Sequence, residues 1–331
     1  MGIASVRAVT ARVTPRTTWV FARVVGENGA VGWGEGTLEG RAAEVAAAIG
    51  SFRPGPLSND LVNAAAHSAI EQATWDLKAR AAGQPLAELL GGAKRERVAL
   101  YANINRGTTD RSPAGFAARA ADAAALGFAA IKIAPFDKMD EGYARIAAVA
   151  EVLAGRAEVQ VDCHWRFDEP KAREALMECA RLGVRWFECP IPETPENFAA
   201  IRRLRGRANA AGMRLAGAEL FIGAEGFRPI LEQGLYDVVM PDVKYAGGLL
   251  ECLRIAKLAA RHGAAVSLHN PSGPVCHAHS VHLSAALETG ERLEYQHGET
   301  PLFFAIAPGL EAPRGGYASL PTPFDIQGGF L

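Results

Sequence analysis

VQVDCHWRFD, residues 159–168, runs as an alternating apolar strand and then delivers an acid, an imidazole and a guanidinium in quick succession. Successive strand residues face opposite sides, so Asp162 and His164 are expected to point one way while Cys163 points the other. Outward from this stretch the arrangement repeats. VRWFECPIP (184–192) carries Glu188, LAGAELF (215–221) carries Glu219, YDVVMPDV (236–243) carries Asp242 and AAVSLHN (264–270) carries His269. Asp162 and Glu188 are 26 residues apart, Glu188 and Glu219 31 apart, each the length of one strand, turn and helix unit. VALYANI (98–104) and AAIKIA (129–134) come before and RLEYQ (292–296) after, with Ala- and Leu-rich stretches between. Eight short strands alternating with helices predict an α/β fold, a parallel (β/α) barrel of the TIM type.

The residues before the barrel have a different texture. Residues 5–34 alternate as strands do, with a Glu-Asn-Gly turn at 27–29, and DLVNAAAHSAIEQATWDLKARAAG (60–83) has apolar residues at helical spacing and a terminal glycine. This is an α+β segment. The chain has 331 residues, 49% of them hydrophobic, with 35 basic against 36 acidic side chains. Nucleic-acid binders concentrate basic charge, so that balance argues against such a partner and suits a small ligand. Cys163, Cys179, Cys189, Cys252 and Cys276 are odd in number and lack CxxC spacing, against a disulfide framework or structural zinc. The opening MGIASVRAVTARVTPR carries three arginines and no apolar core, and no 18-residue uncharged apolar run follows. A cytoplasmic protein without membrane contact is expected.

Asp162, Glu188 and Glu219 are expected to converge at the C-terminal mouth of the barrel, the face where barrel enzymes carry their sites. Three carboxylates without thiolates make a hard, oxygen-rich centre suited to Mg²⁺. Asp242 and His269 end neighbouring strands, and a carboxylate that bonds an imidazole raises its basicity, so the pair is a candidate general base. His164 would present a proton beside the metal. YANINRG (101–107) offers Tyr101, Asn103 and Arg106 as hydroxyl and carboxylate partners, and Glu294 ends the eighth strand. His277, His279 and His282 in CHAHSVH fall where a helix should run, and the 279/282 spacing suits one helix face, which argues against a metal cluster. The glycines of AGG (246–248) lack Walker spacing and are expected to serve close packing.

The sequence resembles the enolase superfamily in its mandelate racemase-like branch of acid-sugar enzymes. The resemblance rests on GWGEGTLEGRA (32–42), AIEQATWDLKAR (69–80), GFAAIKIA (127–134), VDCHWR, WFECPIPE, GAELF, MPDVKYAGGLLE (240–251), LHNPSGP (268–274) and LEYQ (293–296). It implies an enolase-type (β/α)7β barrel over residues 98–304 and an α+β capping domain over 1–97, completed by residues 305–331. It further implies that Asp162, Glu188 and Glu219 bind Mg²⁺, that the metal holds a substrate carboxylate, and that the His269–Asp242 dyad removes the α-proton. A symmetric homo-oligomer is implied as well. KIA keeps Lys132 but has Ala134 where many relatives carry a second, basic Lys, leaving Lys132 to stabilise the substrate carboxylate.

Asp162, His164 and Arg166 form the Asp-x-His-x-Arg pattern of galactonate dehydratase-type enzymes, whose His protonates the departing 3-hydroxyl. With Arg166 as a substrate contact, the resemblance implies dehydration of an aldonate to a 2-keto-3-deoxy acid. An epimerase, racemase or cycloisomerase on the same scaffold, or a non-catalytic metal-binding scaffold, are the alternatives. Three departures bear on substrate: Cys189 follows Glu188 where relatives often have a second Glu, the capping segment between EVAAAIGSFRPGPL (44–57) and AIEQATWD (69–76) is shorter than in galactonate dehydratase, and the tail lacks the usual Pro-Gly-Leu-Gly ending.

Overall fold

The computed structural model describes residues 2–327, the side chain of Asp140 excepted. Strands β1 (Ile3–Arg12), β2 (Thr18–Gly26) and β3 (Val31–Glu35) form an antiparallel meander, followed by helices α1 (Ala42–Gly50) and α2 (Leu61–Ala82). Asp60 caps α2 by accepting the Asn63 amide at 3.0 Å, and Gly83 ends it at φ 61°. The glycines of VGWGEG decide how α2 meets the sheet. Gly32, Gly34 and Gly36 share one strand face, and Ala73, Ala69 and Ala65 share one helix face, so the backbones touch. A Cβ on Gly34 would stand 1.9 Å from the Ala69 carbonyl oxygen, and one on Gly32 2.2 Å from that of Ala73.

Eight parallel strands follow: β4 (Arg97–Asn103), β5 (Ala130–Ile133), β6 (Glu158–Asp162), β7 (Trp186–Glu188), β8 (Arg214–Gly217), β9 (Val238–Val239), β10 (Ala265–Val266) and β11 (Leu293–Gln296). Each pairs with its neighbour from β4 to β10, and β11 returns to β4. A bridge between Val266 and Gly290, with the Glu291 amide on the Val266 carbonyl at 2.9 Å, links β10 to the approach of β11. Inside, Trp186, Ala216, Val238 and Met240 form a small apolar layer beneath the mouth. The larger core lies between strands and helices and includes Cys163 and Cys179. All five cysteines are buried and free.

The cap is held to the barrel by carboxylates on helix N-termini, where unpaired amides and the helix dipole favour negative charge. Glu35 accepts the amides of Gly273 at 2.7 Å and Cys276 at 3.0 Å, at the start of the helix Pro274–Ala286. Glu71 of α2 accepts those of Leu249 at 2.8 Å and Leu250 at 3.2 Å, at the start of the helix Leu249–Arg261. This explains AGG: a Cβ on Gly248 would lie 2.3 Å from the Glu71 carboxylate.

The segment after residue 304 divides its contacts. Strand β12 (Tyr317–Ser319) pairs antiparallel with β4 of the barrel, whereas Arg80 of α2 bonds the Phe324 carbonyl and pairs with Asp325 at 3.4 Å. Residues 328–331 of the tail expected to complete the cap lie outside the described residues. No helix among the described residues is long and apolar enough to cross a membrane.

Candidate active site

Asp162 and Glu188 end β6 and β7 as a register pair, so their carboxylates are neighbours across the ladder. Glu219 arrives by a different route. Glu188 pairs with Ala216, and simple alternation from Ala216 would turn Ala218 rather than Glu219 inward. Ala218 takes a left-handed φ of 69°, which breaks the alternation and brings Glu219 to the mouth. One carboxylate oxygen from each of Asp162, Glu188 and Glu219 lies within 4.8 Å of the other two.

His164 corrects the expectation that strand alternation aligns it with Asp162. The strand stops at Asp162, and His164 and Trp165 are left-handed at φ 50° and 55°. The turn instead folds the imidazole back, with Nε2 2.9 Å from Asp162 Oδ2, while the His164 amide donates to Oδ1 at 3.1 Å. Its side chain stays 43% exposed, facing solvent at the mouth. The charge of Asp162, against burial, raises His164 to about 9, and Asp162 in turn is held low by that imidazole and by Lys132 although burial opposes this. β7 likewise stops at Glu188 because Cys189 turns left-handed at φ 45°, and its carbonyl accepts the Trp165 amide at 2.6 Å.

Lys132 lies beneath the carboxylates and is fully buried. Its Nζ donates to Glu188 at 2.7 Å and sits 2.8 Å from Glu294 and 3.9 Å from Asp162. Burial disfavours its charge, but Glu188 and Glu294 outweigh that and raise it well above the usual lysine range. Here Lys132 is engaged by the carboxylates of Glu188 and Glu294 and has no exposed surface at the mouth. Trp186 Nε1 donates to the other Glu188 oxygen at 2.7 Å. Burial, opposed by Lys132 and reinforced by Asp162 and Glu219, still pushes Glu188 up to about 8. Glu219 Oε2 is buried without a hydrogen-bond partner. Crowded acids and an orphaned carboxylate oxygen fit a hard dication, which would relieve the repulsion and satisfy the orphan.

Opposite, His269 Nδ1 is 2.8 Å from Asp242 Oδ2, and its Nε2 is 3.5 Å from Glu219 Oε2. Burial lowers the basicity of His269, but Glu219 and Asp242 more than offset it and raise the imidazole. With Nδ1 engaged by Asp242, Nε2 is the nitrogen turned toward the carboxylate cluster. β6 and β10 are four strands apart in the ring of eight, so the two imidazoles face each other across the mouth. The sequence reading missed two neighbours. Lys244 donates through both its amide and Nζ to Asp242, each at 2.7 Å, and the Tyr245 hydroxyl lies 3.2 Å from His269 Nδ1. Their signal was their place just after the acid in MPDVKYAGG.

The expected substrate contacts separate. Tyr101 is shut inside the barrel, fully buried, with Lys132 Nζ 5.5 Å from its ring centre and its hydroxyl unpartnered; it does not reach the mouth. Asn103 donates to Glu294 at 2.7 Å, and Glu294 also accepts the Asn270 amide at 2.9 Å. Burial would raise Glu294, yet Lys132 and His269 hold it down at about 2. Arg106 is taken up by Glu39 of the cap at 3.1 Å and Glu299 at 3.5 Å. Arg166 is exposed beside His164 and makes no ion pair among the described residues. His277, His279 and His282 lie on one helix, as expected, and all three are buried.

Residues 115–324 match the family Enolase C-terminal domain-like, and residues 55–91 match the Mandelate racemase / muconate lactonizing enzyme, N-terminal domain. A D-gluconate dehydratase of Thermoproteus tenax is 35% identical over 247 residues, spanning 72% of this chain and about half, 48%, of that relative. A D-galactonate dehydratase of Ralstonia pickettii is 29% identical over 95% of this chain and 89% of its own length. The fold superposes on the 3,6-anhydro-D-galactonate cycloisomerase of Zobellia galactanivorans with a TM-score of 0.87 at 23% identity, over 98% of this chain and 97% of that one. The chain belongs to the enolase superfamily, in its mandelate racemase/muconate lactonizing enzyme branch, and the curated relatives it resembles are dehydratases, that is, hydro-lyases.

Proposed function

We propose that this protein is a Mg²⁺-dependent dehydratase of an aldonate-type sugar acid. The observation that carries the reading is the opposition of two imidazoles, His164 and His269, across the cluster of Asp162, Glu188 and Glu219. Elimination of water next to a carboxylate needs a base for the C2 proton and an acid for the C3 hydroxyl, held on either side of a carboxylate-binding centre. The names of the dehydratase relatives support the same reaction class.

When bound by Asp162, Glu188 and Glu219, magnesium supplies a positive centre that holds the substrate carboxylate and offsets the charge growing on it. His269 takes the C2 proton through Nε2, with Asp242 on Nδ1 fixing the tautomer and favouring the imidazolium that results. Lys244 holds Asp242 so that this carboxylate keeps its direction. His164 gives its proton to the departing 3-hydroxyl, water leaves, and the enol ketonises to a 2-keto-3-deoxy acid. Arg166, exposed beside His164, is the cationic contact available to the polyol chain.

Proton NMR in D₂O, with Mg²⁺ and a panel of five- and six-carbon aldonates and aldarates, tests the reading. A 2-keto-3-deoxy product from one panel member is the expected result. Deuterium entering C2 with no keto product would replace it with epimerisation or cycloisomerisation. No exchange with any acid, in protein that binds Mg²⁺, would point to a scaffold without turnover.

A further inference from the structure

Four of the five positive-φ non-glycine residues among the described residues, His164, Trp165, Cys189 and Ala218, stand within three positions of a carboxylate of the cluster. Such conformations cost on the order of 1–3 kcal/mol each and persist only where the surroundings over-determine them. One side chain outside the cluster reaches two of these turns. Glu193, five residues past Glu188 on the loop leaving β7, accepts the Ala218 amide on Oε1 at 2.6 Å and the Trp165 indole N–H on Oε2 at 3.0 Å. The Tyr236 hydroxyl, from the approach to β9, also donates to Oε1 at 2.7 Å. Gly217 leaves the space for this meeting, since a Cβ there would lie 2.6 Å from both Glu193 Oε1 and Tyr236 Cζ.

We propose that Glu193 is a positioning residue whose two oxygens act separately, Oε1 holding the turn that presents Glu219 and Oε2 holding the turn that presents His164. Its hydrogen bonds go to Ala218, Trp165 and Tyr236 and to no carboxylate of the cluster. The consequence for catalysis rests on the reading of Glu219 as a metal ligand and His164 as the acid; the hold on the two turns does not.

Glu193→Gln separates the two oxygens. Its one amide oxygen goes to the two donors Ala218 N–H and Tyr236 O–H, which leaves the NH₂ facing the Trp165 indole donor. Mn²⁺ affinity without substrate, by calorimetry, is expected to stay within about threefold, while dehydration relative to C2 exchange falls about tenfold; Trp165→Phe should reproduce this pattern. Glu193→Ala loses both holds, so Mn²⁺ binding weakens by about tenfold or more, and amide hydrogen exchange quickens in residues 162–168 and 217–221. In Glu193→Gln only residues 162–168 should exchange faster.

A folded Glu193→Ala protein with Mn²⁺ affinity and exchange like the parent overturns the proposal. If that variant does not fold, E193Q and W165F decide: parent-like exchange at 162–168 in both, or equal acceleration of both segments in E193Q, overturns it. Failure of the underlying reading looks different. Parent protein that does not bind Mn²⁺, or binding that survives Glu219→Gln, removes the metal reading, while hydrogen exchange still tests what Glu193 holds.

Discussion

At the scale of single residues, the site depends on side chains placed by turns that the amino-acid types do not advertise. His164 reaches Asp162 because residues 164 and 165 are left-handed, and Glu219 reaches the cluster because Ala218 is. None of these three residues looks like a turn signal, which in sequence is carried by residues such as Gly, Asn and Asp. The proposed division of labour makes a sharp expectation for His164→Asn. An asparagine can still bond Asp162 but cannot deliver a proton, so dehydration should fall by roughly 10²–10⁴-fold while C2 exchange by His269 persists. Rates of both, followed by NMR in one sample, check it, and equal loss of the two would refute the role.

At the scale of elements, two packing arrangements carry predictions. The contact of β3 with α2 is backbone on backbone, so Gly34→Ala should destabilise the protein by about 1–3 kcal/mol or more, because the clash partner is the Ala69 carbonyl. Denaturant midpoints measure this, and pairing it with Ala69→Gly should give no rescue, since trimming a side chain does not move a carbonyl.

The helix Pro274–Ala286 buries three histidines, and burial lowers His277, His279 and His282 to about 4, 3 and 4. The unfolded chain takes up these protons near pH 6.5 but the folded one does not, so stability is full above about pH 6.5 and falls as pH drops below it. The expected slope is roughly 1.4 kcal/mol per pH unit for each histidine. Melting at pH 7.0, 6.0 and 5.0 reads it, and His282→Phe should lower the slope by roughly 1.4 kcal/mol per pH unit; an unchanged slope would assign the acid sensitivity elsewhere.

At the scale of the whole molecule, the barrel gathers acids from distant parts of the chain, and an ion that binds only where they meet stabilises only the folded state. Magnesium at one hundred times its dissociation constant should add about 2.7 kcal/mol, reversed by EDTA. Glu219→Gln should abolish the gain. Thermal melts with and without Mg²⁺ test both statements, and a shift that survives in the variant would mean that the ion sits elsewhere.

The order of strands and helices, the cap that precedes them and the residues Asp162, Glu188, Glu219, Asp242 and His269 were all legible in the sequence. Hydrophobic alternation and chain spacing are local quantities, and a barrel turns equal spacing into convergence at one mouth. Tertiary structure alone decided the rest. Lys132 went under the cluster and Tyr101 inside the barrel because inward-facing residues lower on a strand are covered by those above, whereas Arg106 was captured by Glu39 and Glu299 from remote segments. The same holds for Glu35 and Glu71, whose capping of barrel helices joins residues far apart in sequence, and for Glu193. Which charge meets which amide is a property of packing between elements, and no local pattern encodes it.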